Sequence, residues 1–215
     1  MAFRSSFPPG SSARPPAINL PPLTLALLLV MAGVYLGTLL APPGIERRVV
    51  AYFAFIPAAY QSPGWPLWSL IVAPFSYALL HGGFGHLLLN GVMLAVMGQV
   101  LEPRLGPARF VLLFAAGAAG GALAHVLIGG FPQTPLVGAS AGVGGLYGAG
   151  LVLQRRGISL GPNTQVLVAL AGLFVIFNLI GLVLPVLGYI AYAAHLGGFV
   201  AGALVATQLR PQRAV

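Results

Sequence analysis

The chain has 215 residues, of which 58% are hydrophobic and only 6% are charged. A water-soluble domain of this length does not cover its core with so little polar surface, so the composition excludes one and indicates an integral membrane protein with several spans. The net charge of +8 comes from ten arginines against two glutamates. The arginines lie at the ends of apolar runs, which indicates membrane topology rather than nucleic-acid binding.

The amino-terminal residues 1–21 are rich in proline and serine and have no apolar period, so they are predicted to form a disordered cytoplasmic tail. The run that follows, 23–41, is longer than the apolar core of a secretory signal and ends in APPG, without a small-x-small cleavage site. We therefore interpret it as a retained span. Residues 22–209 are predicted as one membrane domain and 210–215 as a short cytoplasmic tail.

Apolar runs bounded by arginines, prolines and loops predict an all-α membrane protein, a bundle of six transmembrane helices. The predicted spans are 23–41, 82–102, 108–128, 140–154, 164–184 and 187–209. Between the first two spans, the segment 42–80 contains eight aromatic residues and several prolines. Because the prolines prevent one continuous spanning helix, this segment is predicted to be a long loop in the membrane interface.

The arginines predict the orientation of the bundle. With six spans, eight arginines fall on the side of the two termini, and only Arg47 and Arg48 fall on the other side. The excess of positive charge predicts that both termini are cytoplasmic. Short loops and the absence of lysine fit a bacterial inner membrane.

Three polar side chains on separate predicted helices lie at one depth. Ser140 and His195 each stand fifteen residues before a cytoplasmic arginine, and Asn90 stands fourteen before one. Fifteen helical residues rise roughly 22 Å, less than the hydrocarbon core of about 30 Å. These side chains are therefore expected inside the membrane, where they must line a cavity.

Ser140 opens its predicted helix, so the unpaired amides of the first turn are available to stabilise an oxyanion. A nucleophilic serine needs a base, and His195 is the only histidine that follows Ser140 in the chain. Small residues after both positions would let the two helices approach closely. These residues are Gly144 and Gly148 after the serine, and Gly198 and Gly202 after the histidine. The structural alternative is that the serine is a packing residue and the histidine a hydrogen-bonded core residue.

The second predicted span carries the letters HGGFGHLLLN. His86 and Asn90 are four residues apart and share a helix face, so both are expected to donate to the same oxyanion. A metal site is the alternative, but His81 lies about 140° around a helix from His86, and no acidic or cysteine ligand is near. We therefore predict no metal site. His81 is assigned a supporting role at the start of this helix, and His125 a structural one.

The two acidic residues lie away from the predicted site. Glu46 is in the external segment, and Glu102 is near the cytoplasmic end of the second span. A serine mechanism here is therefore predicted to use a dyad without a carboxylate. The GASAG stretch also fits the G-x-S-x-G elbow of soluble hydrolases, but the preceding strand and the acid of that motif are missing.

These residues resemble the rhomboid family of intramembrane serine proteases. The likeness covers about residues 75–206 and rests on four stretches in the order and spacing of the family: HGGFGHLLLN, LEPRLGPARF, PLVGASAG and AHLGGFVAG. The resemblance implies a six-helix fold and cleavage of transmembrane protein substrates in or near their spans, without a cofactor.

The resemblance also implies a role for each candidate residue. Ser140 would be the nucleophile and His195 the general base. His86, Asn90 and the amide of Ser140 would form the oxyanion hole. The backbone and close-packing positions that it implies are Gly138 and Gly198.

Three positions depart from the family pattern, and one of them, Ala141 in place of the glycine that often follows the serine, is a change between small residues. Gly144 stands where an aromatic residue often stacks on the catalytic histidine, and Tyr147 or Tyr192 is a candidate to replace that ring. In the external segment, Trp68-Ser69 stands where a Trp-Arg pair is frequent. The anchoring of that segment is therefore expected to differ.

The leading hypothesis is an endopeptidase that works in the lipid bilayer through a Ser-His dyad and loses activity on acidification, as His195 becomes protonated. The alternative is a non-catalytic rhomboid-like protein that binds membrane helices as a chaperone or adaptor. Retention of both Ser140 and His195 disfavours that alternative, because a binding protein needs neither. A channel for small polar solutes is a third hypothesis, for which the few ionisable groups supply no obvious pathway.

Overall fold

The computed structural model describes residues 20–161, 164–184 and 191–209. Within these residues the chain forms eight α-helices and two short 3-10 turns, Pro57–Gln61 and Tyr77–Leu79. The helices are α1 Pro22–Leu40, α2 Pro43–Phe53, α3 Leu67–Ser76, α4 Phe84–Leu105, α5 Pro107–Gly129, α6 Ser140–Arg155, α7 Thr164–Val183 and α8 Tyr192–Gln208. Both predicted terminal tails fall outside the described residues, except for positions 20 and 21.

Four of these helices, α1, α4, α5 and α7, are long and apolar enough to cross a membrane. The helices α6 and α8 are shorter, with 16 and 17 residues, and α6 is buried along most of its length. The most extensive helix packing in the fold joins α8 to α6 and to α5. The chain is therefore an all-helical, multi-pass membrane protein with the short, buried helix α6 at its centre.

The segment 42–80 is not the loop that the sequence predicted. It contains α2 and α3, which raise the helix count of the described residues to eight. Its prolines do interrupt it, but Pro43 lies in the first turn of α2 and Pro66 immediately precedes α3. A proline in a first turn removes only an amide that has no intrahelical partner, so short helices form between the breaks.

Ser69 anchors the segment 42–80 internally. Its side chain is buried, and its hydroxyl donates to the carbonyl oxygen of Tyr52 at 2.8 Å. The indole Nε1 of Trp65 donates to the same hydroxyl at 3.3 Å. The ring of Tyr52 packs against both Trp65 and Trp68, with centroids 6.1 Å and 5.6 Å apart. A neutral hydroxyl therefore joins α3 to the end of α2 where an arginine was expected from the family pattern.

A buried carboxylate from α4 caps the beginning of α1. The side-chain oxygens of Glu102 accept hydrogen bonds from the amides of Leu23 and Thr24, at 2.9 Å and 2.7 Å, and from the Thr24 hydroxyl at 2.6 Å. Pro21, which precedes α1, supplies no side-chain cap. Glu102 thus satisfies two of the free amides of α1 and lies near the positive end of its helix dipole.

Arginines tie other helix ends together at the same end of the bundle. Arg104, two residues after Glu102, donates through Nε to the carbonyl oxygen of Ser159, beyond the end of α6, at 2.9 Å. Arg156 donates to three carbonyl oxygens at the end of α8. The start of α1 and the ends of α4, α6 and α8 are therefore held at one end.

Glycines let the backbones of α5, α6 and α8 touch. A Cβ on Gly202 of α8 would overlap the backbone of Gly145 in α6, and one on Gly198 would overlap the carbonyl group of Ala141. Gly117 of α5 faces the same stretch, since a Cβ there would lie 2.7 Å from the carbonyl oxygen of Ala141. Helices that meet through small residues pack closely without a hydrophobic driving force between them.

We expect Gly202→Ala to weaken the fold, because the added methyl group must push α8 away from α6. Overpacking of this kind costs about 1–3 kcal/mol. The matched control is Gly172→Ala, which places a methyl group in open space on the exposed side of α7 and gains helix propensity. Thermal unfolding in detergent should show a lower midpoint for Gly202→Ala than for Gly172→Ala. Equal midpoints would contradict this packing.

We expect Glu102→Ala to destabilise the protein, because two buried amides and a hydroxyl at the start of α1 lose their acceptor. Leaving such groups unpaired costs about 1–3 kcal/mol. Glu102→Gln keeps one acceptor oxygen and should fall between the wild type and the alanine variant in the same unfolding measurement. An alanine variant as stable as the wild type would show that the cap contributes nothing.

Candidate functional site

Ser140 is the first residue of α6, and the backbone just before it is in close contact with that of Tyr77. Gly138 has a φ of +112°, in a region that L side chains rarely adopt, and its amide donates to the carbonyl oxygen of Tyr77 at 3.0 Å. Two residues earlier, Leu136 exchanges two backbone hydrogen bonds with Phe55. These bonds fix where α6 begins. As the first helical residue, Ser140 has an amide without an intrahelical acceptor.

The hydroxyl of Ser140 and the imidazole of His195 are in contact. Ser140 Oγ lies 2.7 Å from His195 Nε2. His195 lies in the first turn of α8, and its own amide donates to the carbonyl oxygen of Ala191. The two helices are already close at this point, since a Cβ on Gly144 would lie 3.0 Å from the carbonyl oxygen of His195. Two helix starts thus bring together a hydroxyl and an imidazole that are 55 residues apart.

His86 and Asn90 lie on α4, facing the turn before Ser140. A Cβ on Gly138 would lie 2.5 Å from Cε1 and Nε2 of His86 and 3.6 Å from Nδ2 of Asn90. Asn90 is buried, and its Nδ2 donates to the carbonyl oxygen of His86 at 3.0 Å. Only a glycine at position 138 leaves room for the imidazole of His86 against this backbone.

The sequence predicted His81 at the start of α4. In the structure His81 precedes that helix. The helix begins at Phe84, after Gly82 and Gly83. The ring of His81 meets that of His86 edge to face, with centroids 5.1 Å apart, and its buried nitrogens have no hydrogen-bond partner among the described residues. His81 therefore supports the ring of His86 by packing.

The candidate nucleophile, base and oxyanion donors line one cavity of about 710 Å³. Its walls come from α4, α6, α7, α8 and the turn before α6, and most of the lining side chains are apolar. Its polar side chains are His86, Asn90, Ser140, Tyr147, Asn178 and His195. A few polar groups that converge within an apolar cavity are typical of a ligand or active site.

Asn178 of α7 is a site residue that the sequence analysis missed. Its Oδ1 lies 2.6 Å from Nδ1 of His195, and its side chain is buried. The sequence did carry a signal, because Asn178 is the one side chain with a polar group between Val166 and Val183. An amide in such an apolar run needs a partner inside the protein and marks a functional position by default. His195 therefore has polar partners at both ring nitrogens, more than a dyad alone provides.

The sequence analysis named Tyr147 or Tyr192 as the candidate for the aromatic ring beside His195. In the structure that ring is Phe174 of α7. The centroids of Phe174 and His195 are 5.8 Å apart. Tyr147 stacks on Phe174, with centroids 5.5 Å apart, while Tyr192 packs against Phe177. A Cβ on Gly144 would lie 3.2 Å from the ring of Phe174. Because Gly144 has no side chain, the ring of Phe174 from α7 has room beside His195.

Comparisons with known proteins agree with this architecture. The family model for the rhomboid domain matches residues 65–212. RHOMBOID-like protein 5 of Arabidopsis thaliana is 30% identical over 185 residues, which are 85% of this chain and 54% of that protein. YdcA of Bacillus subtilis strain 168, which is named provisionally as a rhomboid protease, is 32% identical over 144 residues, 64% of this chain and 65% of that protein. The chain thus spans between half and two thirds of the length of these curated relatives.

The family match includes α4 to α8 and all the polar residues that line the cavity. It confirms the resemblance that the four sequence stretches indicated. This chain belongs to the rhomboid family.

Proposed function

We propose that this protein is an intramembrane serine endopeptidase that cuts transmembrane proteins. The observation that carries the proposal is the 2.7 Å contact between Ser140 Oγ and His195 Nε2 at the wall of an apolar cavity. A hydroxyl hydrogen-bonded to an imidazole is the arrangement that makes serine a nucleophile. A protein that only binds membrane helices requires no such pair.

In the proposed reaction, Ser140 attacks the carbonyl carbon of the scissile peptide bond while His195 Nε2 takes the hydroxyl proton. The carbonyl oxygen becomes an oxyanion, which the amide of Ser140 and the side chains of His86 and Asn90 stabilise. His195 then gives the proton to the leaving amine. Water attacks the acyl-enzyme in the second half of the reaction, with His195 again acting as the base.

The site favours an extended substrate segment over an intact helix. A carbonyl group in an α-helix is hydrogen-bonded and surrounded by the next turn, so it does not reach a serine at the wall of a cavity. Small residues at the cut would help the segment to unwind. The apolar cavity walls fit the side chains of a membrane span, which supports transmembrane proteins as the substrate class.

The proposed membrane domain, 22–209, has six spans: α1, α4, α5, α6, α7 and α8. The helix α6 is about 24 Å long, shorter than a hydrocarbon core of about 30 Å, so Ser140 would lie beneath the outer membrane surface. The described arginines at the Glu102 end of the bundle support a cytoplasmic location of that end. We place both termini there, with tails at 1–21 and 210–215, and the protein in a bacterial inner membrane.

The proposal predicts that the purified protein reacts with a fluorophosphonate and cuts a model transmembrane substrate in detergent or liposomes. Ser140→Ala and His195→Ala should abolish both reactions, because one removes the nucleophile and the other the base. The control is Ser62→Ala, which alters an exposed serine of the segment 42–80. It should keep wild-type labelling and cleavage.

The same experiment separates the protease from the chaperone or adaptor. A folded wild type that neither labels nor cuts, while still retaining the membrane helix in a pull-down, would favour the binding protein. Cleavage that survives in Ser140→Ala would show that another group is the nucleophile.

A further inference from the structure

We infer that Asn178 is a positioning residue of the reaction, which holds the imidazole of His195 in the tautomer that Ser140 needs. The inference rests on the proposed function. It extends the site from a Ser-His pair to a chain of three groups, Ser140, His195 and Asn178, in which the third member is a neutral amide on α7.

The orientation of the Asn178 amide is set by its own helix. Its Nδ2 donates to the carbonyl oxygen of Phe174, one turn earlier, at 2.7 Å. The amide nitrogen is therefore occupied on the α7 side, and Oδ1 is the atom that lies 2.6 Å from Nδ1 of His195. An amide oxygen only accepts hydrogen bonds, so Nδ1 of His195 must carry the proton that joins them.

This hydrogen bond determines what the other ring nitrogen can do. A neutral imidazole with a proton on Nδ1 has a lone pair on Nε2. Nε2 is the atom that lies 2.7 Å from Ser140 Oγ, so the hydroxyl donates to it and is ready to lose its proton. The opposite tautomer would place a proton between Nε2 and Oγ and leave the serine without a base.

The helix α7 constrains the imidazole in two further ways. Phe174 and Asn178 are one turn apart, so the same face of α7 supplies both the ring beside the imidazole and the acceptor at Nδ1. Asn178 is 1% exposed, so water does not compete for its oxygen. A buried amide whose nitrogen and oxygen both have partners is a directional constraint, since rotation of the imidazole breaks the hydrogen bond at Nδ1.

The other titratable groups around His195 do not supply this acceptor. His86 of α4 and Tyr147 of α6 line the same cavity, and Tyr192 opens α8. His86 lies against Gly138, on the oxyanion side, and Tyr147 stacks on Phe174. Among the described residues, Glu102 is engaged at the start of α1 and Glu46 is exposed on α2.

The kinetic test compares Asn178→Leu with Asn178→Asp. Both variants lose the Nδ2 donor to Phe174, but only the aspartate keeps an oxygen at Nδ1. We expect kcat to fall by about 10- to 100-fold in Asn178→Leu, with KM nearly unchanged because substrate contacts remain. Asn178→Asp should recover most of kcat. Leu179→Ala, which alters an exposed neighbour on α7, controls for general perturbation of the helix.

The pH profile provides a readout that packing alone would not change. Wild-type kcat/KM should fall on acidification as His195 becomes protonated. A carboxylate at position 178 stabilises the imidazolium, so the acid limb of Asn178→Asp should move to higher pH. An acid limb that stays in place, together with equal losses in the leucine and aspartate variants, would mean that Asn178 only packs against α8.

A spectroscopic measurement tests the inference without relying on activity. Nitrogen NMR of ring-labelled histidine in the full-length protein, with His195 assigned from the His195→Ala spectrum, should show a proton on Nδ1 and none on Nε2 above neutral pH. In Asn178→Leu this preference should be lost. A protonated Nε2 in the wild type, or an Asn178→Leu protein with wild-type kcat, overturns the inference. If the wild type cuts no substrate, the proposed function is overturned instead. The inference about the tautomer of His195 is then tested by the NMR spectrum alone.

Discussion

Close contact between the backbones of α6 and α8 is the constraint on which the rest of the structure depends. Gly202 against Gly145, and Gly198 against Ala141, bring the two helix axes together without intervening side chains. The two helices start side by side at that spacing, so Ser140 and His195 meet within hydrogen-bonding distance. Gly117 of α5 completes the arrangement from the third side. The fold thus positions the reactive pair through residues that contribute no chemistry.

Polar groups inside a membrane are costly unless the protein pairs them, and many of those among the described residues gather in two places. At one end, Glu102 and the arginines satisfy free amides and carbonyls of helix ends. At the other, the polar side chains gather around the cavity, where the Ser140, His195 and Asn178 groups satisfy one another. Buried atoms without a partner among the described residues also lie near the cavity, on His81, Asn90 and Tyr192.

Much of this architecture could be predicted from the sequence, and the misses have physical causes. Apolar length and arginine position indicated the long helices, and depth along the helices brought Ser140, His195 and Asn90 to one level. Proline was interpreted only as a breaker, so α2 and α3 were missed although proline fits a first turn. Asn178 and Phe174 were missed because α7 carries no sequence motif. Which of its side chains contact His195 depends on the rotation of α7 about its own axis, which the sequence does not determine. The small residues of α5 were likewise not assigned, since packing partners across a bundle are not adjacent in sequence.

The central claim, that Ser140 and His195 form a reactive pair beside an oxyanion hole, is tested most directly by an experimental structure of the fluorophosphonate adduct. The account predicts phosphorus on Ser140 Oγ, with the phosphonyl oxygen within hydrogen-bonding distance of the Ser140 amide, His86 and Asn90, and with His195 still bonded to Asn178. An adduct on another residue, or a phosphonyl oxygen that points away from α4 into the apolar part of the cavity, would contradict it.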